Sequence, residues 1–134
     1  KKKNVPCPYT FTVNIINGRL HLHNIVRSND IMLGVPSDVP GFALLQCILA
    51  QELNVRPGIY SHSISNAHIY DTHYDGAKEI IRRKNNHKKI TLQLPPDSFR
   101  RAEQKDPSLL EEIVENLSKQ YNPMDPIKGL KLIL

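Results

Sequence analysis

The chain has 134 residues, 40% hydrophobic and 23% charged, with a formal charge of +5. That size supports one domain with its own core, and the balance excludes collagen-like, fully disordered and multi-span membrane classes. No run approaches the ~18 apolar residues of a membrane-spanning helix, so the expected setting is the cytoplasm. The opening Lys1-Lys2-Lys3 reads as a flexible terminus. From Tyr9 to Ile16 the chain alternates, with Phe11, Val13 and Ile15 on one side, and Asn17-Gly18 predicts a hairpin turn. Arg19 to Val26 returns, placing Leu20, Leu22, Asn24 and Val26 on one face.

Arg27-Ser28-Asn29-Asp30 reads as a strand end or turn, and Leu33-Gly34-Val35-Pro36 as a segment outside any helix interior. Asp38 is a candidate cap for a helix from Val39 to Leu53. Its Phe42, Leu45, Ile48, Leu49 and Leu53 recur at helical spacing and predict burial, and Asn54 with Pro57-Gly58 stops it. Ile59 to Tyr70 reads as one long strand, unusually dense in polar side chains such as Ser61, His62, Ser63 and Ser65. A second helix follows over Asp71 to Arg83, and a short strand over Ile90 to Leu94. Pro107-Ser108 opens an amphipathic helix carrying Leu109, Leu110, Ile113, Val114 and Leu117. The closing segment from Tyr121 ends apolar and needs a surface to pack on. The expected class is α+β, a single domain over residues 1–134 with an antiparallel or mixed sheet packed by a buried helix and further helices.

Cys7 and Cys47 are the two cysteines, without CxxC spacing. They exclude a disulfide scaffold and a zinc site, and leave one thiol free to be reactive. His21, His23, His62 and His73 have no metal-ligand spacing, so no metal is expected. The positive charge points to an anionic partner: nucleic acid, an acidic membrane surface or a phosphorylated small molecule. The basic run Arg82 to Lys89 lacks interleaved aromatics and reads as a solvated loop, so nucleic acid is not the expected partner.

Four motifs in order, Pro6-Cys7, Arg27-Ser28-x-Asp30, Leu33-Gly34-Val35-Pro36 and Ala67-His68-Ile69-Tyr70 with His73 beyond, resemble the second, catalytic half of the thymidylate synthases. The interval from Cys7 to Arg27 matches the family spacing without a gap, and Tyr121-Asn122-Pro123 is a weaker echo. The resemblance implies a transferase acting on a pyrimidine deoxynucleotide monophosphate, with 5,10-methylene-tetrahydrofolate as the one-carbon donor. Carbon 5 of the ring is a poor nucleophile, and Cys7 aligns with the cysteine that adds to carbon 6 and makes carbon 5 enolate-like. Arg27 and Ser28 match phosphate-binding positions, and Arg27 across the hairpin also offers the positive charge a thiolate needs. His68 and Tyr70 match residues that hold the sugar hydroxyl. Asp30 matches a position shared by substrate and cofactor, and Leu33 and Gly34 match the cofactor site.

Asp38 stands where thymidylate synthases carry an asparagine. That amide offers uracil both a donor and an acceptor, whereas an ionised carboxylate only accepts. Asp38 therefore favours the exocyclic amine of cytosine, and with Arg-Ser-Asn-Asp it is similar to deoxycytidylate hydroxymethylases, in which water rather than hydride completes the reaction. Both dUMP and dCMP, and both methyl and hydroxymethyl products, stay open. Further departures are Pro8, Thr12, Ser37 and Ser65-Asn66. Family members are longer, with a first half that adds another phosphate-binding arginine, and they are two-fold homodimers whose C-terminal tail closes over ligands. The alternative is a non-catalytic nucleotide- or RNA-binding relative.

Overall fold

The computed structural model describes residues 5–132, so the Lys1–Lys3 terminus and the final Ile133-Leu134 of the tail lie outside the described residues. Strands β1 (Pro8–Ile16) and β2 (Arg19–Val26) form the expected antiparallel hairpin. Asn17 and Gly18 take φ of 51° and 68°, the left-handed pair that a two-residue turn demands. Two short or parallel partners follow: β3 (Asn29–Asp30), and, beyond helix α1 (Val35–Glu52), strand β4 (Arg56–Ile64). β4 lies parallel to β2 on its free edge, giving the order β1-β2-β4. Parallel neighbours need a crossover, and α1 provides it, packing over β2 and β4.

The strand expected over Ile59 to Tyr70 is in fact two, because β4 stops at Ile64 and β5 spans Ala67–His68, paired in parallel with β3. The break at Ser65-Asn66 lies level with the one at Arg27-Ser28. Main-chain bonds carry the pairing across it, from Ser65 N–H to the Val26 carbonyl at 2.9 Å and from Asn29 N–H to the Asn66 carbonyl at 3.0 Å.

Leu20, Leu22 and Ala50 form the buried centre, with Phe42, Leu45, Leu49, Val55 and Tyr60 packed on it. Phe11, Val13 and Ile15 share one face of β1, as their alternation predicts. They lie opposite Asn24, Leu22 and Leu20, on the side of α1. The helix lies over β2 and β4, however, so all three are exposed, and Phe42 reaches only the edge of Phe11, with ring centroids 6.0 Å apart.

Helix α1 starts a turn earlier than Val39. Pro36 fits there because first-turn nitrogens have no intrahelical acceptor, and Pro40 is carried inside the helix. Gly34 is the N-cap, and Asp38 is an internal first-turn residue whose N–H donates to the Gly34 carbonyl at 2.9 Å. The capping role for Asp38 is thereby removed. Burial of α1 is also partial: Gln46 and Ala50 are its buried residues, and Leu53 is exposed.

A 3-10 turn (Asp71–His73) leads into α2 (Tyr74–Arg82), close to the expected helix. Ile90 to Leu94 is not a strand. Its main chain is held by side-chain amides instead: Gln120 accepts from Thr91 N–H and donates to its carbonyl, and Asn116 accepts from Gln93 N–H. Helix α3 (Ser98–Glu103) was not expected, whereas α4 (Pro107–Ser118) was, and Asp106 caps it by accepting from Ser108 N–H at 3.0 Å.

Candidate active site

A cavity of about 470 Å³ opens where the strands break, and every site residue expected from the sequence lines it. Cys7 comes from the approach to β1, Arg27 and Ser28 from the end of β2, Asp30 from β3, Leu33, Gly34 and Asp38 from the start of α1, and His68 and Tyr70 from β5. The two-layer break is what admits them, because regular ladders would turn alternate side chains away.

Arg27 N–H donates to the Cys7 carbonyl at 3.0 Å, which places the thiol and the arginine side by side across the hairpin. The guanidinium is engaged by main-chain carbonyls. Its Nε donates to the Pro6 carbonyl at 3.2 Å and its Nη2 to the Val5 carbonyl at 2.8 Å. Cys7 is half-buried at the cavity wall. Cys47 lies on α1 away from it, and partial burial pushes its thiol up.

Ser28 Oγ accepts from Asn66 Nδ2 at 3.3 Å and lies 3.5 Å from His68 Nδ1. His68 Nδ1 is 3.3 Å from the Asn66 carbonyl, which can only accept, so the ring proton belongs on Nδ1 and Nε2 keeps a lone pair. The His68 and Tyr70 rings meet edge to face at 5.1 Å, with Tyr70 just beyond the strand rather than on it. Asp30 Oδ1 accepts from Met32 N–H at 2.8 Å. Its Oδ2 is 3.9 Å from Nδ1 of His73, a fully buried ring whose Nε2 donates to the Lys131 carbonyl at 2.8 Å. That bond seats the C-terminal segment beside the site, and Leu132 enters the cavity wall.

Behind Asp38 stands a polar chain that sequence reasoning missed. Asn29 Nδ2 donates to Asp38 Oδ2 at 3.0 Å and also meets His62 Nε2 at 3.3 Å. His62 Nδ1 lies 2.7 Å from Tyr60 Oη and 3.5 Å from Asn24 Nδ2. Burial is the main cause pushing the Tyr60 phenol up, opposed by the Asn24 amide and reinforced by the Asp38 charge. The signal available was the polar density of β4 and the third letter of Arg-Ser-Asn-Asp. Tyr121-Asn122-Pro123, the weaker motif, is not brought here. It lines a separate hollow with Asn85, Lys88 and Lys89.

The cavity thus gathers the Cys7 thiol, the Asp38 carboxylate held by the Asn29 amide, and the hydroxyl and imidazole groups of Ser28, Tyr70 and His68, with Arg27 in its lining. Leu33 and Leu132 add apolar surface to the same lining as the Asp30 carboxylate.

A family model described as thymidylate synthase matches residues 1–129. A thymidylate synthase of Clostridium beijerinckii is 39% identical over 80 residues, which is 60% of this chain and 30% of that protein. The solved structure of thermostable thymidylate synthase A from Bacillus subtilis superposes with a TM-score of 0.65 at 33% identity, covering 69% of this chain and 33% of that one. The chain therefore spans about a third of the length of these relatives.

Proposed function

This chain belongs to the thymidylate synthase family, and from that premise we propose that it is the catalytic part of a transferase adding a one-carbon unit, methyl or hydroxymethyl, to carbon 5 of a pyrimidine deoxynucleotide monophosphate. The observation that carries this is the convergence of Cys7, Arg27, Ser28, Asp38, His68 and Tyr70 on one cavity.

Cys7 is the proposed nucleophile. Its sulfur forms the bond to carbon 6 and the ring double bond's electron pair moves to carbon 5, with Arg27 the neighbouring residue across the hairpin. Ser28 and Arg27 take the phosphate. Arg27 exchanges the Val5 and Pro6 carbonyls for phosphate oxygens, which are stronger, charge-assisted acceptors. His68 Nε2 and the Tyr70 hydroxyl hold the sugar hydroxyl. Asp38 accepts from the exocyclic amine at carbon 4, which makes dCMP the proposed substrate ahead of dUMP. Methylene-tetrahydrofolate supplies the one-carbon unit when bound, with Asp30, Leu33, Gly34 and Leu132 as its proposed wall. A homodimer in the cytoplasm belongs to the same proposal, through the sheet face opposite α1, where Ile59 is exposed.

The test is calorimetric titration of the folded chain with dCMP and dUMP, with and without a folate analogue. Saturable binding with dCMP preferred is the expected result, and a folded sample that binds neither nucleotide would overturn the proposal. A second reading, nucleotide binding without turnover, is favoured by the engagement of Arg27 with main-chain carbonyls. Detection of a thioether adduct by mass spectrometry separates the two.

A further inference from the structure

Asn29 is 2% exposed, and its side chain reaches a cavity residue nine positions on in sequence, Asp38. Its amide has two N–H bonds, and an acceptor stands at each: Asp38 Oδ2 at 3.0 Å and His62 Nε2 at 3.3 Å. The carbonyl end lies against Gly34, where a Cβ would overlap Asn29 Oδ1 and come within 2.9 Å of the Asp30 carbonyl. Turned over, the amide would aim its oxygen at a carboxylate, so the charge on Asp38 sets the orientation. His62 Nε2 must then hold a lone pair, which leaves the ring proton on Nδ1, 2.7 Å from Tyr60 Oη, and calls for the Asn24 amide 3.5 Å away to present its otherwise unpartnered oxygen there.

Resting on the function proposed above, we infer that Asn29 is the positioning residue for base selection. It occupies Asp38 Oδ2 by donating to it, fixes the rotation of the carboxylate, and leaves Oδ1 as the oxygen for the nucleotide. A carboxylate held this way has no donor to offer, so it pairs with a 4-amino pyrimidine and repels a 4-oxo one. Without that donor the Asp38 side chain is free to rotate, and the selection weakens. Asn29 lines the same cavity, and its side-chain amide acts on selection through Asp38, both of its N–H bonds having acceptors in the protein.

The experiment is a double-mutant cycle of Asn29→Ala and Asp38→Ala in the 134-residue chain, reading the dissociation constants of dCMP and dUMP by calorimetry, with ¹⁵N NMR of the His62 ring alongside. Asn29→Ala is expected to reduce the dCMP-over-dUMP preference about tenfold, the scale of one hydrogen bond to a charged group. In the Asp38→Ala background it should leave the preference unchanged. The His62 ring should be Nδ1-protonated in the parent chain and lose that single tautomer in Asn29→Ala. Equal weakening of both nucleotides, or the same loss of preference without Asp38, would overturn the inference by making Asn29 merely structural. A parent chain with His62 protonated on Nε2 would overturn it whether or not any variant folds. Retained sensitivity to Asp38→Ala with no effect of Asn29→Ala sinks this inference alone, whereas a preference that ignores Asp38→Ala, or binding of neither nucleotide, sinks the functional reading beneath it.

Discussion

Gln46, buried in the middle of α1, donates its side-chain amide to the main-chain carbonyl of Leu20 at 2.8 Å and shares it with the carbonyl of Ile59 at 3.2 Å. The β2–β4 register shifts at this level, between Leu20 and Leu22, so ladder bonds are lost there and the helix supplies the substitute. Gly58 makes the approach possible, since a Cβ would stand 2.9 Å from the Leu20 carbonyl. Gln46→Leu preserves the bulk and strips the carbonyls of their donor. It should destabilise the chain by about 2–4 kcal/mol in urea unfolding, because buried acceptors lose their partner. An unchanged midpoint would show that water reaches the gap.

Gly34 has φ −77°, a conformation open to any residue, so its requirement is purely steric. Gly34→Ala should cost about 1–3 kcal/mol as Asn29 is pushed off its seat. The cost should shrink in an Asn29→Ala background, and thermal melts of the two single variants and the double variant measure it.

Cys7→Ala should abolish covalent nucleotide capture in mass spectrometry while reversible nucleotide binding persists. Cys47→Ala should leave the adduct intact, because this half-buried thiol on α1 is pushed up by partial burial and lies away from the cavity. Full capture by the Cys7 variant would end the covalent mechanism.

Asp38→Asn places a donor at the cavity wall while Asn29 can still donate to the new amide oxygen. Competition binding should move the preference from dCMP to dUMP by about tenfold or more, since a mismatched buried polar pair goes unsatisfied. An unmoved ratio would return Asp38 to a purely structural place in the first turn of α1.

Acid sensitivity should centre on the start of α4. Asp106 is held below its ordinary value by Ser108 and then by Arg101, and Glu112 is lowered by Arg101. Both carboxyl groups are depressed in the folded state, so their stabilisation is complete above the ordinary carboxylate range and is lost as pH falls through that range and below it. Asp106→Asn should flatten the acid side of a plot of urea midpoint against pH, and a slope equal to the parent's would exclude the cap as its source.

The site was more legible in sequence than the fold around it. Cys7, Arg27, Ser28, Asp38, His68 and Tyr70 stood out because four motifs in order resemble the thymidylate synthases, whereas taken singly each reads as an ordinary turn, strand or cap residue. Asn29 and His62 did not stand out, since a buried amide and a strand histidine look like ordinary turn and sheet residues until the fold sets them beside a carboxylate. The hairpin was readable from Asn17-Gly18, and the buried face of β2 from its alternation. The exposure of Phe11 and Ile15 was not, because alternation reports which side a residue faces and says nothing of how far a helix reaches across the sheet. The early start of α1 was hidden by Pro36, which is a helix breaker everywhere except the first turn. Ile90 to Leu94 has strand composition, yet its hydrogen-bond partners are Gln120 and Asn116, which no local pattern reveals.

The parallel pairing of β2 with β4 also governs the order in which the chain can fold. The hairpin and α1 close over short stretches of chain, whereas Arg19 meets Arg56 and Asp30 meets His68 only after the whole crossover has been looped back. A partly folded chain would already bring Cys7 and Arg27 together, and would lack the wall that carries His68 and Tyr70. The thiol side of the cavity is thus available to any nascent or loosened form of the molecule, but the complete cavity exists only once the last strand has docked.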